Sequence, residues 1–236
     1  MAVSHGFGKI VTDGLVLTLD AADTNSYTSG STTWRDMSGN GNNGTLTNGP
    51  TFDSANGGSI VFDGVDDSVL MPATPSVNIR GSVTVGMFCK SNQENWNVYW
   101  SGISKYSQFI LGPNVLNSSN SRMAFLVRSN TWYPEGYGGQ IWGQDNLDRT
   151  QYHYYVGRYN QSTGYLSLFV DGEEEVNFDI GVQTLRDDTG DYDIGKRDGS
   201  SHFLNFTLGI AQIYNRALTD SEILQNYNTL KPRFGL

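Results

Sequence analysis

The sequence predicts an all-β domain: a two-sheet antiparallel β-sandwich of jelly-roll type, with one short C-terminal helix. Three observations predict it. Segments that alternate apolar and polar residues recur along the chain, separated by turn formers. Glycine makes up 28 of 236 residues, about 12% against a usual ~7%, and the excess is spread over short turns. The last third pairs a clean hairpin, "YHYYVGRYNQSTGYLSLFVDGEEEV", with a long strand that runs into a capped helix.

The elements follow in chain order. In 15–20, "LVLTLD", Leu15, Leu17 and Leu19 alternate with Val16, Thr18 and Asp20, which is a short strand. Residues 21–58 are nearly all turn formers and read as a long loop, with Trp34 and Phe52 as apolar anchors. "SIVFDGVDDSVLMP" reads as two short strands around the tight-turn dipeptide Asp63-Gly64. "SVTVGMFCK" is a strand with Val83, Val85, Met87 and Cys89 on one face. The stretch 92–145 is the least regular, with strands expected near 97–103, 108–112 and 122–128. Asp171-Gly172 then turns the hairpin back through "EEEVNF". Leu204, Phe206, Leu208 and Ile210 mark one face of the last strand. Thr219 and Glu222 form the capping-box pattern, and Ile223, Leu224 and Tyr227 give the helix behind it an apolar stripe. A single domain over 1–236 is expected, with 1–13 as an N-terminal arm and 229–236 as a C-terminal tail.

Charge and composition exclude some functions. A formal net charge of −9 repels a phosphate backbone, so nucleic acid is not expected as a partner, and anionic membranes are disfavoured by the same sign. Charged residues are only 17%, among many Asn, Ser, Thr and Gly, which suits an exposed neutral-polar surface or contact with sugars. One cysteine, Cys89, permits no internal disulfide and reads as a small buried hydrophobe. The N-terminus shows no basic start followed by an apolar run, so synthesis in a cytoplasm without a signal peptide is expected.

No motif announces chemistry. "GNGNNG" at 39–44 matches a dinucleotide-binding spacing, but the strand before and helix after that phosphate binding needs are absent. The same loop spells Asp36-x-Ser38-x-Asn40-Gly41, the front half of a calcium loop without its bidentate Glu. Asp187, Asp188, Asp191 and Asp193 form a second acidic set, so a structural Ca2+ is weighed against Asp36 simply bonding its own backbone. Glu173 and Glu175 share a strand face just past a turn, where a solvated edge is the commoner outcome. His5, His153 and His202 read as isolated, no Gly-x-Ser-x-Gly elbow occurs, and no enzyme is expected. The candidate binding residues are the aromatics Trp96, Tyr99, Trp100, Trp132, Tyr133 and Trp142. Their rings could fill the core, anchor a protein interface or stack on sugar rings.

The segments "GLVLTLDAADTNSY", "TTWRDMSGNGNNGTLTNGPTF", "SIVFDGVDDSV", "HYYVGRYNQSTGYLSLFVDGEE" and "IYNRALTDSEI" span residues 14–227. They resemble the laminin-G-like members of the concanavalin A-like lectin/glucanase superfamily. With "DAAD", "FDGVDD" and the terminal "RFGL", the chain looks most like domains of tailed-phage virion proteins. The resemblance implies binding or structural duty more often than catalysis. Many relatives carry Ile-Asp-Glu-Val before the "IYNRAL" piece; here those positions read Leu208, Gly209, Ile210 and Ala211, so any metal ligand placed there is missing. The Glu-x-Asp-x-x-Glu strand of sandwich-fold glucanases is also absent. The leading expectation is a phage virion structural protein, a capsid decoration or head-fibre component with a lectin-like fold. It would contact other virion proteins and form a homo-oligomer, for which a trimer is the guess. The alternative is a carbohydrate-binding host-recognition module at a tail fibre or tail tip, touching a cell-surface glycan. A glycoside hydrolase is the third reading.

Overall fold

The structure is a computed structural model that describes residues 9–94, 102–105, 108–117, 120–129, 139–144, 147–197 and 202–236. Its strands are β1 (Leu15–Asp20), β2 (Thr33–Trp34), β3 (Gly44–Thr47), β4 (Thr51–Asp53), β5 (Ser59–Asp63), β6 (Ser68–Met71), β7 (Val83–Ser91) and β8 (Ile103–Lys105). They continue with β9 (Phe109–Asn117), β10 (Asn120–Val127), β11 (Gln140–Trp142), β12 (His153–Asn160), β13 (Tyr165–Val170), β14 (Glu173–Asp179), β15 (Tyr192–Ile194) and β16 (Asn205–Tyr214). The helix α1 (Asp220–Leu230) and a 3-10 turn (Lys231–Phe234) follow.

Two antiparallel sheets form the sandwich. The first has the order β14-β13-β12-β7-β16-β5-β4, with β1 also on β16; the second runs β11-β10-β9-β8-β15-β6-β3-β2. Between them lies one apolar cluster that draws on both, including Leu17, Trp34, Phe62, Val85, Met87, Cys89, Phe109, Phe125, Tyr159 and Ile194. The alternation in β7 places Val83, Val85, Met87 and Cys89 in that cluster as expected. Gly157 on β12 permits the close approach of the sheets, since a Cβ there would stand 2.2 Å from the Phe125 ring.

Four details depart from the sequence reading. The stretch 21–58 contains β2, β3 and β4. These are strands of two to four residues, too short to show a period, although β2 pairs with β3 and β4 with β5, in each case the next strand in the chain. β5 and β6 do not pair across Asp63-Gly64; β5 joins the first sheet and β6 the second, so the turn is a crossover between layers. On β16 the register shifts between Leu208 and Ile210. Phe206 and Leu208 therefore face the core while Ile210 faces out. Finally, residues 229–236 are packed structure: Leu230 and Phe234 are buried in a second apolar cluster on the outer face of the first sheet.

That cluster explains the helix. Ile223 and Leu230 of α1 join Phe88, Tyr154, Val156, Phe169 and Tyr214 from the strands beneath. The capping box forms as read: the Thr219 hydroxyl accepts from the Glu222 N–H, and the Glu222 carboxylate accepts from the Thr219 N–H at 2.8 Å. The N-terminal stretch is tied here too, by Val11 N–H on Asn226 Oδ1 at 2.8 Å and the Tyr214 hydroxyl on Val11 O at 3.0 Å. Among the described residues no helix is long and apolar enough to cross a membrane.

Candidate functional site

Of the six aromatic candidates, Trp96, Tyr99, Trp100, Trp132 and Tyr133 lie outside the described residues. Trp142 is half-buried at the end of β11, opposite Ala124 of β10. It packs on Ile110, Ala124 and Leu126, a cluster separate from the core between the sheets. Its indole N–H is buried and finds no hydrogen-bond acceptor among the described residues. The side chain is thus anchored outside the core.

The carboxylate groups weighed for a metal are engaged by the protein itself. Asp36 Oδ1 accepts from the N–H groups of Thr18 and Ser38, and Oδ2 accepts from the Ser38 hydroxyl and the Asn42 N–H, all within 3.0 Å. Asn40 donates to Leu15 O and to Ser38 Oγ. Asp187 accepts from Asn78 and faces Arg80 at 3.7 Å, Asp188 accepts from Gly190 N–H, and Asp191 accepts from Ala73 N–H. Asp193 lies buried on β15 with Lys196 at 3.7 Å. Among the described residues, the carboxylates that converge are instead Asp63, Asp66 and Asp67, whose oxygens lie within 4.8 Å of one another.

His153 is not isolated. Its Nδ1 stands 2.6 Å from Asp171 Oδ2 and its Nε2 3.2 Å from the Asp148 carbonyl. Both neighbours are acceptors, so a ring that satisfies both is the imidazolium. Burial pulls its pKa down, but the hydrogen bond and charge of Asp171 and the Asp148 contacts outweigh it, and the net direction is up. Glu175 stands at the bulge of β14, where its carboxylate accepts from the Gln144 N–H at 3.2 Å. Burial pushes its pKa up. Among the described residues the His153 ring is hydrogen-bonded by neither a hydroxyl nor a thiol. The Cys89 thiol on the paired strand is fully buried, and burial drives its pKa far up, the opposite of an activated nucleophile.

A cavity of ligand size lies elsewhere, between the loop 72–82 that links β6 to β7 and the loop 180–191 that links β14 to β15. It holds about 220 Å³ and is lined by Ala73, Thr74, Pro75, Asn78 and Thr189. Asn78 is its most constrained member. The buried Gln108 donates to Asn78 Oδ1 at 2.6 Å, the Asp188 N–H donates there at 3.1 Å, and Asn78 Nδ2 donates to Asp187 at 2.7 Å. Gln108 also donates to Arg186 O, Lys105 Nζ donates to Gly190 O at 2.8 Å, and Leu185 N–H donates to Arg80 O, so both loops are fastened to the sandwich. Sequence reasoning missed these lining residues. Their loops meet through contacts such as Ala73 N–H to Asp191, 118 positions apart, and nothing local marks them.

A family model described as the concanavalin A-like lectin/glucanases superfamily matches residues 63–224. No curated protein matches the chain. Among solved structures, the binding domain of Paraclostridial Mosquitocidal Protein 1 superposes with a TM-score of 0.71 at 15% identity, over 92% of this chain and 52% of that one. Domain 4 of AbnA, an extracellular arabinanase from Geobacillus stearothermophilus solved with arabinotriose, gives 0.65 at 14% identity, over 90% of this chain and 98% of that one. The binding domain of botulinum neurotoxin DC, in complex with SialylT, gives 0.67 at 13% identity, over 93% and 52%. The chain spans about half the length of the toxin binding domains it matches. At these identities the likeness is one of fold.

Proposed function

The chain belongs to the concanavalin A-like lectin/glucanase superfamily, and from that membership we propose that it is a non-catalytic carbohydrate-binding module. The observation that carries the reading is the match to the arabinanase domain. That domain, solved with a bound oligosaccharide, is covered over 98% of its length, so the likeness is to a whole sugar-binding unit. The site chemistry supports it. The described His153 is held by a carboxylate and a carbonyl, and the carboxylates weighed for hydrolysis sit at an edge strand. Polar hydroxyls and amides line the cavity. A glycan array probed with the purified chain, with and without calcium, is expected to give binders; silence across neutral and sialylated oligosaccharides would sink the reading.

The setting we propose is the surface of a phage particle, as a capsid decoration or head-fibre protein or a tail-tip module. What supports it is the resemblance carried by "DAAD", "FDGVDD" and "RFGL" together with the acidic balance of −9. Mass spectrometry of purified particles should contain the chain at stoichiometric level, and its absence removes this setting. A homotrimer is proposed with it, checked by native mass spectrometry. A structural calcium, at Asp36 and Asn40 or at Asp187 and Asp191, also stays a proposal, and a melting temperature unmoved by EDTA removes it.

A further inference from the structure

We propose that the cavity between loops 72–82 and 180–191 is the sugar subsite of this chain, and that it takes one ring of an uncharged saccharide. The inference rests on the carbohydrate-binding reading and locates it. Size is the first reason. About 220 Å³ corresponds to roughly seven water volumes at ~30 Å³ each, enough for one sugar ring and below the ~300 Å³ where drug-sized pockets begin.

The second reason is the lining. A sugar ring presents hydroxyls around its edge and C–H groups on its faces. Ala73 and Pro75 give an apolar wall. The Thr189 hydroxyl makes no hydrogen bond in the protein among the described residues, so it offers both a donor and an acceptor. Asn78 uses one of its two amide hydrogens on Asp187 and keeps the other. The Thr74 hydroxyl donates to Asn42 Oδ1 at 2.5 Å and lies 2.9 Å from Ser76 Oγ, which leaves it one lone pair for a ligand hydroxyl. None of the five lining residues is charged, and the carboxylates of Asp187 and Asp191 bond Asn78 and Ala73 among them. An anionic ligand would therefore lose hydration and meet like charge, whereas a neutral polyol loses little.

The third reason is rigidity. Both walls are held before any ligand arrives, by Ala73 N–H on Asp191, Leu185 N–H on Arg80 O and the Gln108–Asn78–Asp188 bonds. Binding then orders little new chain, and weak individual hydrogen bonds suffice.

The test uses the full chain and a probe panel of arabinotriose, maltotriose, lactose and sialyllactose, read by titration calorimetry. A neutral probe is expected to bind, and Thr189→Trp, which fills the cavity from an exposed position, is expected to weaken it more than tenfold with an unchanged melting temperature. Thr189→Val, which removes only the hydroxyl, should weaken it severalfold. Tight sialyllactose binding with no response to neutral probes overturns the assignment of an uncharged ligand. A neutral probe that binds both Thr189 variants as well as the parent chain overturns this subsite while leaving the carbohydrate-binding reading intact. If no probe in the panel binds the parent chain, the reading and the subsite fall together.

Discussion

At the scale of single residues, the side chains that matter most bind locally. Arg216 grips both oxygens of Glu222, at 2.6 and 2.8 Å, while that carboxylate also caps the first turn of α1. The Arg216 hydrogen bond, against some desolvation and with help from Thr219, holds the Glu222 pKa down to about 2. A carboxylate depressed in the folded state stabilises above its unfolded pKa, and that contribution fades as pH falls through the folded value. Glu222→Gln should therefore melt below the parent chain above about pH 4.5, with the gap closing as pH approaches 2. Thr219→Ala should cost about 1 kcal/mol by loss of the cap. A pH-independent gap in thermal scans would contradict the first expectation. The cap was legible in the sequence because Thr219 and Glu222 are three residues apart; the Arg216 grip, six residues from Glu222, was not. Trp142 was legible only as an aromatic; its packing outside the core depends on β9 and β10, which no local pattern assigns to it.

Elements show where reading by period succeeds and fails. β7, β12 and β13 alternate cleanly and fold as expected, because each has one face on the core and central pairing on both sides. β2, β3 and β4 escaped because strands this short carry too few residues for a period. The candidate cavity escaped as well: it belongs to two loops brought together by the crossovers between sheets. His153 matters at this scale, since it fastens the segment 147–152 to the β13–β14 turn through Asp148 O and Asp171. Asp171 is itself held in the left-handed region, at φ 53°, beside Gly172 at φ 89°, a pair of conformations that a two-residue hairpin turn requires. Because the folded pKa of His153 is raised above 6.5, its stabilisation is full below that value and is lost as pH rises through the folded pKa. His153→Gln should thus be most destabilised relative to the parent near pH 6, and the difference should shrink towards pH 8. NMR titration of the ring protons checks it directly, and a midpoint below 6.5 would refute the imidazolium assignment.

Across the whole molecule, the two sheets are finished differently, and the first is closed by the chain's own end. Phe234 stacks on Phe88 with ring centroids 4.1 Å apart and lies 4.6 Å from Tyr152. Arg233 beside it bonds Asp20 and the carbonyls of Asn56 and Gly58, so the 3-10 turn is fastened to β1 and to the loop before β5. The sequence showed only a short polar stretch ending in "RFGL", since one aromatic and one arginine carry no period. The register shift on β16 explains why the ring fits. At Gly209 the strand passes from pairing with β5 to pairing with β1, and a Cβ there would stand 2.6 Å from the Phe234 ring. Two substitutions test this coupling. Phe234→Ala removes a buried ring and should cost about 3 kcal/mol, a fall in melting temperature of roughly 6–12 °C for a domain of this size. Gly209→Ala alone should also destabilise, because its methyl meets the ring. In the double variant the ring is gone and the methyl has room, so the two costs should sum to less than their separate values by about 1 kcal/mol or more. Strict additivity would mean that Gly209 is required by the backbone of the bulge and not by the side chain that closes the sandwich.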